Sequence, residues 1–155
     1  MEGDKLAAKA KNNAYALLRM RPRSEAELRE RLGMKGYEEP IIDAVVEDLR
    51  RLGYVDDPKF AKFWVESRMH TNPVGDVMLR RELKAKGVPD PVIEEALAAK
   101  AGAYDEREIA KSMAVGRFER FKKMDRRKAL KRVYDFLLRR GFAYETVRSV
   151  VEELA

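Results

Sequence analysis

The sequence predicts an all-α fold of three tandem three-helix repeats, and three observations predict it. Nine segments carry apolar residues at helical spacing between recognisable start and stop residues. No segment alternates with the period of two expected of a half-buried strand. The same leucine–glycine pattern occurs three times, around Gly36, Gly87 and Gly141, at spacings of 51 and 54 residues.

The first helix is expected from about Asp4 to Met20, with Leu6, Ala10, Ala14, Leu17 and Leu18 toward a core. Arg19, Arg21 and Arg23 crowd the connection around Pro22, which disfavours helix at the residue before it. Ser24 then acts as an N-cap with Glu27 three residues on, a capping box. Leu28 and Leu32 form the apolar stripe of that helix, and Gly36 stops it. Pro40 fits the first turn of a third helix. Ile41, Ile42, Val45, Val46, Leu49 and Leu52 line its apolar face as far as Gly53.

Asp57 and Pro58 read as N-cap and first residue of a fourth helix with an aromatic-heavy face, Phe60, Phe63, Trp64 and Val65, fading between His70 and Pro73. A fifth, within residues 75–86, carries Leu79 and Leu83 and ends at Gly87. Asp90 and Pro91 open a sixth with Val92, Ile93, Ala96 and Leu97. Asp105, with Glu108 three positions later, caps a longer helix through Ile109, Met113 and Phe118. Asp125 caps the eighth, bearing Leu130, Val133, Leu137 and Leu138 before Gly141. The ninth, about Tyr144 to Leu154, presents Val147, Val150, Val151 and Leu154.

Aligning the three glycines makes the repeat explicit. Four and eight residues before them stand Leu32 and Leu28, Leu83 and Leu79, Leu137 and Val133. Six, nine and ten residues after them come Ile42, Val45 and Val46, then Ile93, Ala96 and Leu97, then Val147, Val150 and Val151. Pro40 and Pro91 coincide, whereas Glu145 takes that place in the third copy. The repeats are accordingly set at residues 1–53, 54–103 and 104–155, each shielding its neighbour's apolar face.

Composition narrows the function. A charged fraction of 39% and a net charge of +6 favour a polyanionic partner. The absence of cysteine removes disulfides, thiolate nucleophiles and cysteine-based zinc sites. His70 is the only histidine, so no His cluster for a metal or a proton relay can assemble. Ser24, Ser67, Ser112 and Ser149 lie at a cap or within helices, without a nucleophile elbow. No glycine-rich phosphate loop occurs. The expectation is a non-enzymatic protein without cofactor or metal. The polar start, MEGDKLAAKAKNN, lacks the apolar core of a signal peptide, and no run approaches membrane-spanning length. The expected location is cytoplasmic.

Positive charge concentrates in two places. Residues 117–132, RFERFKKMDRRKALKR, hold nine Lys or Arg against two acids. Arg126, Arg127 and Lys128 fall in the first turn of a helix, where the macrodipole disfavours cations, and this points to an external anion or acidic surface. The candidate partner-binding residues there are Arg117, Arg120, Lys122, Lys123, Arg126, Arg127, Lys128, Lys131 and Arg132. The second cluster is Arg80, Arg81, Lys84 and Lys86, with Arg68 beside the lone Trp64. Phe118 and Phe121 have the spacing of core residues, with base stacking as the alternative. Trp64 reads as packing between repeats, with a partner anchor as the alternative. Arg139 and Arg140, near a helix C-terminus, have a local electrostatic explanation.

RPRSEAELRERL (Arg21 to Leu32), LGYVDDPKFAKFWVESR (Leu52 to Arg68) and LRRELKAKGV (Leu79 to Val88), in this order inside three helical triplets, resemble the RecX family of bacterial recombination regulators. The resemblance is good from about Ala14 to Leu97 and weaker in the third repeat. It implies an elongated, curved right-to-left stack of helices that binds the RecA filament. It also implies inhibition of that filament's ATPase, strand exchange and coprotease activities by a monomer, in the context of DNA repair, homologous recombination and the SOS response. Single- or double-stranded DNA is a second implied partner.

The competing reading is a sequence-tolerant DNA-binding helical module acting without RecA. Residues 24–55 have the outline of a helix-turn-helix. Against direct base reading, PIIDAVVEDLRRL is acidic and apolar along most of its length. A capped helix, not a wing, follows Val55.

Overall fold

A computed structural model describes all residues, Met1 to Ala155. It contains nine helices and no strand: α1 (Glu2–Met20), α2 (Glu25–Met34), α3 (Glu39–Arg51), α4 (Asp57–Thr71), α5 (Asp76–Ala85), α6 (Asp90–Ala103), α7 (Glu106–Arg120), α8 (Arg126–Arg139) and α9 (Tyr144–Leu154). No helix is long and apolar enough to cross a membrane. The chain forms two compact units. One comprises Met1–Trp64 with Leu83–Ile93, the other Val65–Glu82 with Glu94–Ala155, so the middle triplet contributes to both.

The leucine–glycine register has a mechanical cause. At the end of α2, Gly36 takes φ +94°, a conformation that costs other residues because Cβ crowds the backbone. This turns the chain so that Tyr37 N–H reaches back to the Leu32 carbonyl (3.3 Å) while Gly36 N–H meets the Gly33 carbonyl (3.0 Å). That is a Schellman cap, which satisfies two orphan carbonyls and brings together the apolar residues at its two ends. Gly53, Gly87 and Gly141 repeat it: Tyr54 N–H to Leu49, Val88 N–H to Leu83, Phe142 N–H to Leu137. The leucine four before each glycine is therefore the cap's anchoring residue, and Leu32, Leu49, Leu83 and Leu137 are all fully buried.

In the first unit, Ala10, Ala14, Leu17, Leu28, Leu32, Ile42, Val45, Val46, Leu49 and Val55 form the core of α1–α3. In the second, Ala110, Ala114, Val133, Leu137, Phe142, Val147 and Val150 do the same for α7–α9. The stripes expected from sequence are correct in their centres and too long at their ends. Leu6 and Leu52 are about half exposed, at 47% and 53%, and Leu138 is also exposed. Each lies toward a helix end or at its cap. The first helix starts two residues earlier than expected, with Glu2 and Asp4 in its first turn, where the macrodipole favours acids.

A second correction concerns Asp57. Asp56 is the N-cap of α4, its Oδ1 accepting from Lys59 N–H at 3.0 Å. Asp57 is the first helical residue, and its Oδ1 instead accepts from Glu25 N–H at 2.9 Å, at the start of α2. The third triplet repeats the division of labour. Asp105 caps α7 through Glu108 N–H (3.2 Å), while Glu106 Oε1 accepts from Asp76 N–H (2.7 Å) at the start of α5. Two adjacent acids thus cap two helices, one their own and one in the preceding triplet.

The glycine turns dock on the same ends. Ser24, which closes a reciprocal capping box with Glu27, also donates its Oγ–H to the Lys86 carbonyl at 2.6 Å. Any Cβ at Gly87 would overlap the Ala26 side chain. In the second unit, Gly75 N–H meets the Arg140 carbonyl (2.9 Å) and Val77 N–H meets the Gly141 carbonyl (3.0 Å). A Cβ at Gly75 would overlap Gly141, and one at Gly141 would overlap Met78.

Candidate anion-binding surface

The cationic residues singled out from sequence fall into two physical classes, paired and unpaired. Arg68 grips Glu82 with both branches of its guanidinium (3.0 and 2.7 Å), and Arg80 grips Glu94 in the same way (2.8 and 2.9 Å). Both are forked contacts across 14 residues, the geometry that makes arginine–carboxylate pairs strong. The Glu94 partner raises the Arg80 pKa above its usual value. Lys84 lies 3.9 Å from Asp90. Lys86 approaches Glu27 at 3.4 Å and sits 5.0 Å above the Trp64 ring. Of the second cluster only Arg81 is both exposed and without a carboxylate partner. Trp64 is half-buried, tilted against Phe60 at 6.2 Å with the ammonium over its face.

The third triplet is different. Lys131 pairs with Asp135 at 3.3 Å along one helix face. Arg117, Arg120, Lys122, Lys123, Arg126, Arg127, Lys128 and Arg132 meet no carboxylate. They are carried on the end of α7, the turn after Arg120, and the first two turns of α8. Asp125 caps α8 through Lys128 N–H at 3.2 Å, but the first helical turn contains no acid. Arg126, Arg127 and Lys128 therefore stand, exposed, against the positive end of the helix dipole.

Three of these arginines lie over phenylalanine rings: Arg117 over Phe136 at 4.0 Å, Arg126 over Phe118 at 5.6 Å, Arg132 over Phe121 at 5.7 Å. Such contacts are favourable and hold the guanidinium flat while leaving its N–H edges available. Phe118 and Phe121 are partly buried against the α7–α9 core. Their faces are thus occupied by protein, and the core reading of both prevails over base stacking. Arg126 also donates to the Leu154 carbonyl at 2.8 Å.

Arg117 and Arg120 share an open groove of about 400 Å³ with Asn72, Met113, Gly116, Phe136 and Arg140. Arg140, which has a local explanation in sequence, plays a wider part in the fold. It donates to the Asn72 and Pro73 carbonyls (3.0 and 2.9 Å), and its Nε is buried without a partner. Burial, and then the charge of Arg68, push its pKa down. Three guanidiniums line this groove, and none forms an ion pair, although the charge of Glu82 acts on Arg140. Sequence carries no signal for this role of Arg140, because its carbonyl partners stand 68 and 67 residues away. No group of three or more His, Asp or Glu side chains is placed to hold a metal ion.

Fold and surface together define an all-helical protein of tandem three-helix domains, with an arginine-lined groove as its most distinctive charged feature. The three domain models of the RecX family match in order: the first three-helix domain at residues 10–49, the second at 56–97 and the third at 105–151. The chain belongs to the RecX family. It is 34% identical to the Regulatory protein RecX of Amycolatopsis mediterranei, over 94% of this chain and 82% of that one. It is 36% identical to the Regulatory protein RecX of Prosthecochloris aestuarii, over 94% and 93%. The crystal structure of RecX from Lactobacillus salivarius has the same fold, with a TM-score of 0.86 over 97% of both chains at 23% identity.

Proposed function

We propose that this protein regulates the RecA recombinase by binding the RecA–DNA filament, without a catalytic step of its own and in the cytoplasm. Binding inhibits the filament's ATPase, strand exchange and coprotease activities. The observation that carries this reading is the segregation of charge: eight cations of residues 117–132 meet no carboxylate, whereas Arg68 and Arg80 are each held by an acid. Unpaired cations on a rigid helical frame suit a surface that meets an anionic partner without first breaking internal ion pairs. The partner-facing residues are then Arg117, Arg120, Lys122, Lys123, Arg126, Arg127, Lys128 and Arg132, with Arg140 added and with Arg81 from the second cluster. A protein seated across neighbouring recombinase subunits would hold them in one relative geometry and oppose the motion coupled to ATP turnover.

Titrating the protein into DNA-dependent ATPase assays of RecA tests this directly, with inhibition expected at substoichiometric ratios. No inhibition at micromolar protein in low and moderate salt would overturn it.

The arginine groove also supports a second reading, a sequence-tolerant DNA-binding module acting without RecA. In that case affinity for DNA alone falls steeply with salt, while ATPase inhibition disappears when DNA is in excess.

A further inference from the structure

A second site lies in the first compact unit, far along the chain from the basic run. Arg23 is only 7% exposed, yet no hydrogen bond or ion pair engages its guanidinium, and its Nε is completely buried without a partner. Burying a guanidinium nitrogen without a partner is costly, since its hydration is lost and nothing replaces it. The local acid that would serve it is occupied. Glu27 receives Arg21 at 2.6 Å and Lys86 at 3.4 Å, and also closes the capping box with Ser24 N–H at 3.1 Å. Burial, followed by the charge of Arg21, pushes the Arg23 pKa down.

Arg23 lines a cleft of about 340 Å³ whose other walls are mostly apolar: Leu18, Pro22, Tyr54, Phe60 and Phe63. Tyr54 and Phe63 are exposed there, at 54% and 41%. Tyr54 is held edge-on by Tyr15 at 5.2 Å between ring centres, so the wall is preformed. The one carboxylate in the lining, Asp56, already accepts from Lys59 N–H as the cap of α4.

We propose that this cleft binds an acidic peptide segment in which a carboxylate lies beside an apolar side chain. Arg23 takes the carboxylate in its fork, and Leu18, Phe60 and Phe63 take the apolar group. A nucleic-acid backbone suits the cleft less well, because it would set a row of charges against apolar walls and beside Asp56, with only Arg23 and Lys59 in answer.

The test is a titration of isotope-labelled full-length protein with the blocked dipeptide acetyl-aspartyl-phenylalaninamide, followed by nuclear magnetic resonance. Saturable shifts are expected at the Arg23 Nε–H and at the backbone of Tyr54 and Phe63. The asparagine analogue should bind about tenfold more weakly, as should the peptide to an Arg23→Lys variant, which keeps charge but loses the fork. Arg23→Met should abolish binding without lowering the melting temperature, since it removes a buried donor that no protein group pairs. Equal binding of the asparagine analogue, or undiminished binding to Arg23→Met or Arg23→Lys, would overturn the proposal. So would a short oligothymidylate that saturates the same resonances more tightly than the peptide. If Arg23→Met unfolds, the guanidinium is structural and the proposal fails unless Arg23→Lys, still folded, shows the tenfold loss.

Discussion

The carboxylate of Asp57 accepts a hydrogen bond from the backbone N–H of Glu25, 32 residues away, at 2.9 Å, and so satisfies the first orphan donor of a helix to which it does not belong. Glu106 and Asp76 repeat the contact at 2.7 Å. Asp57→Ala is expected to lower unfolding stability by about 1 kcal/mol through loss of the acceptor. Burial, the largest influence on Asp57, raises its pKa. A raised carboxyl pKa means the folded state binds the proton more tightly. This residue's contribution therefore becomes less favourable as pH rises from its unfolded value through its folded one. Asp57→Asn keeps the acceptor and removes the charge, so at neutral pH it should match or exceed the parent in denaturant unfolding.

The two turn glycines of α2 and α5 separate backbone strain from docking. Both have positive φ, but Gly36 faces open space whereas Gly87 abuts Ala26. Gly36→Ala should cost about 1–2 kcal/mol, the left-handed penalty alone. Gly87→Ala should cost roughly a further 1–3 kcal/mol, because the added methyl meets a side chain within a packed contact. Urea unfolding of the two variants measures the difference. Equal losses would show that the Lys86–Gly87 turn is not tightly docked.

If the start of α8 is the binding surface proposed above, stability and binding are set against each other there. Replacing Arg127 and Lys128 by Glu puts acids in a first helical turn that now has none. Each exchange should stabilise the helix by about 0.3–1 kcal/mol. The same variant should bind the RecA–DNA filament more weakly and inhibit its ATPase less. Thermal unfolding and ATPase inhibition, measured on one preparation, should move in opposite directions.

Paired and unpaired arginines should differ in DNA binding. Arg117→Ala with Arg120→Ala should reduce the salt dependence of polyanion binding, the slope of log K against log salt falling by about 0.7–0.9 for each phosphate that is no longer neutralised. Arg80→Ala, whose guanidinium is committed to Glu94, should leave that slope unchanged. Fluorescence anisotropy across a salt series distinguishes the two.

Glu153 has an unusually low pKa of about 2, held there first by Lys111 at 2.7 Å and then by Arg107 at 2.5 Å. For a depressed acid the stabilising contribution is complete above its unfolded pKa and fades as pH falls toward the folded value. Carboxyl resonances followed between about pH 5 and pH 2 should show Glu153 titrating last among the exposed glutamates, and Lys111→Ala should bring its midpoint up.

Much of this architecture is written locally in the chain. Leu32, Gly36 and the apolar residue after it are contiguous parts of one cap, so their pattern survives in sequence and recurs at Leu83 with Gly87 and Leu137 with Gly141. The capping box at Ser24 and Glu27 is legible for the same reason. What escapes is everything requiring a partner from another helix. Asp57 reads as an N-cap until α2 is placed beside it, and Arg68 and Arg80 read as free cations until Glu82 and Glu94, each 14 residues on, come into reach. Arg140 hides because a helix C-terminus offers a cation a local explanation, while the groove it shares with Arg117 and Arg120 exists only after folding. Arg23 looks like part of a basic linker, since burial leaves no local mark in sequence.

Glu27 joins several of these features, and its engagement makes their energetics inseparable. One carboxylate serves the helix cap at Ser24, the salt bridge of Arg21 and the ammonium of Lys86. Losing any one partner leaves the other two to tighten, whereas losing Glu27 strips all three together. Mutational effects at positions 21, 24, 27 and 86 should therefore be epistatic. The cost of changing Arg21 or Lys86 should depend on whether Glu27 is present, with coupling that a double-mutant cycle reads directly.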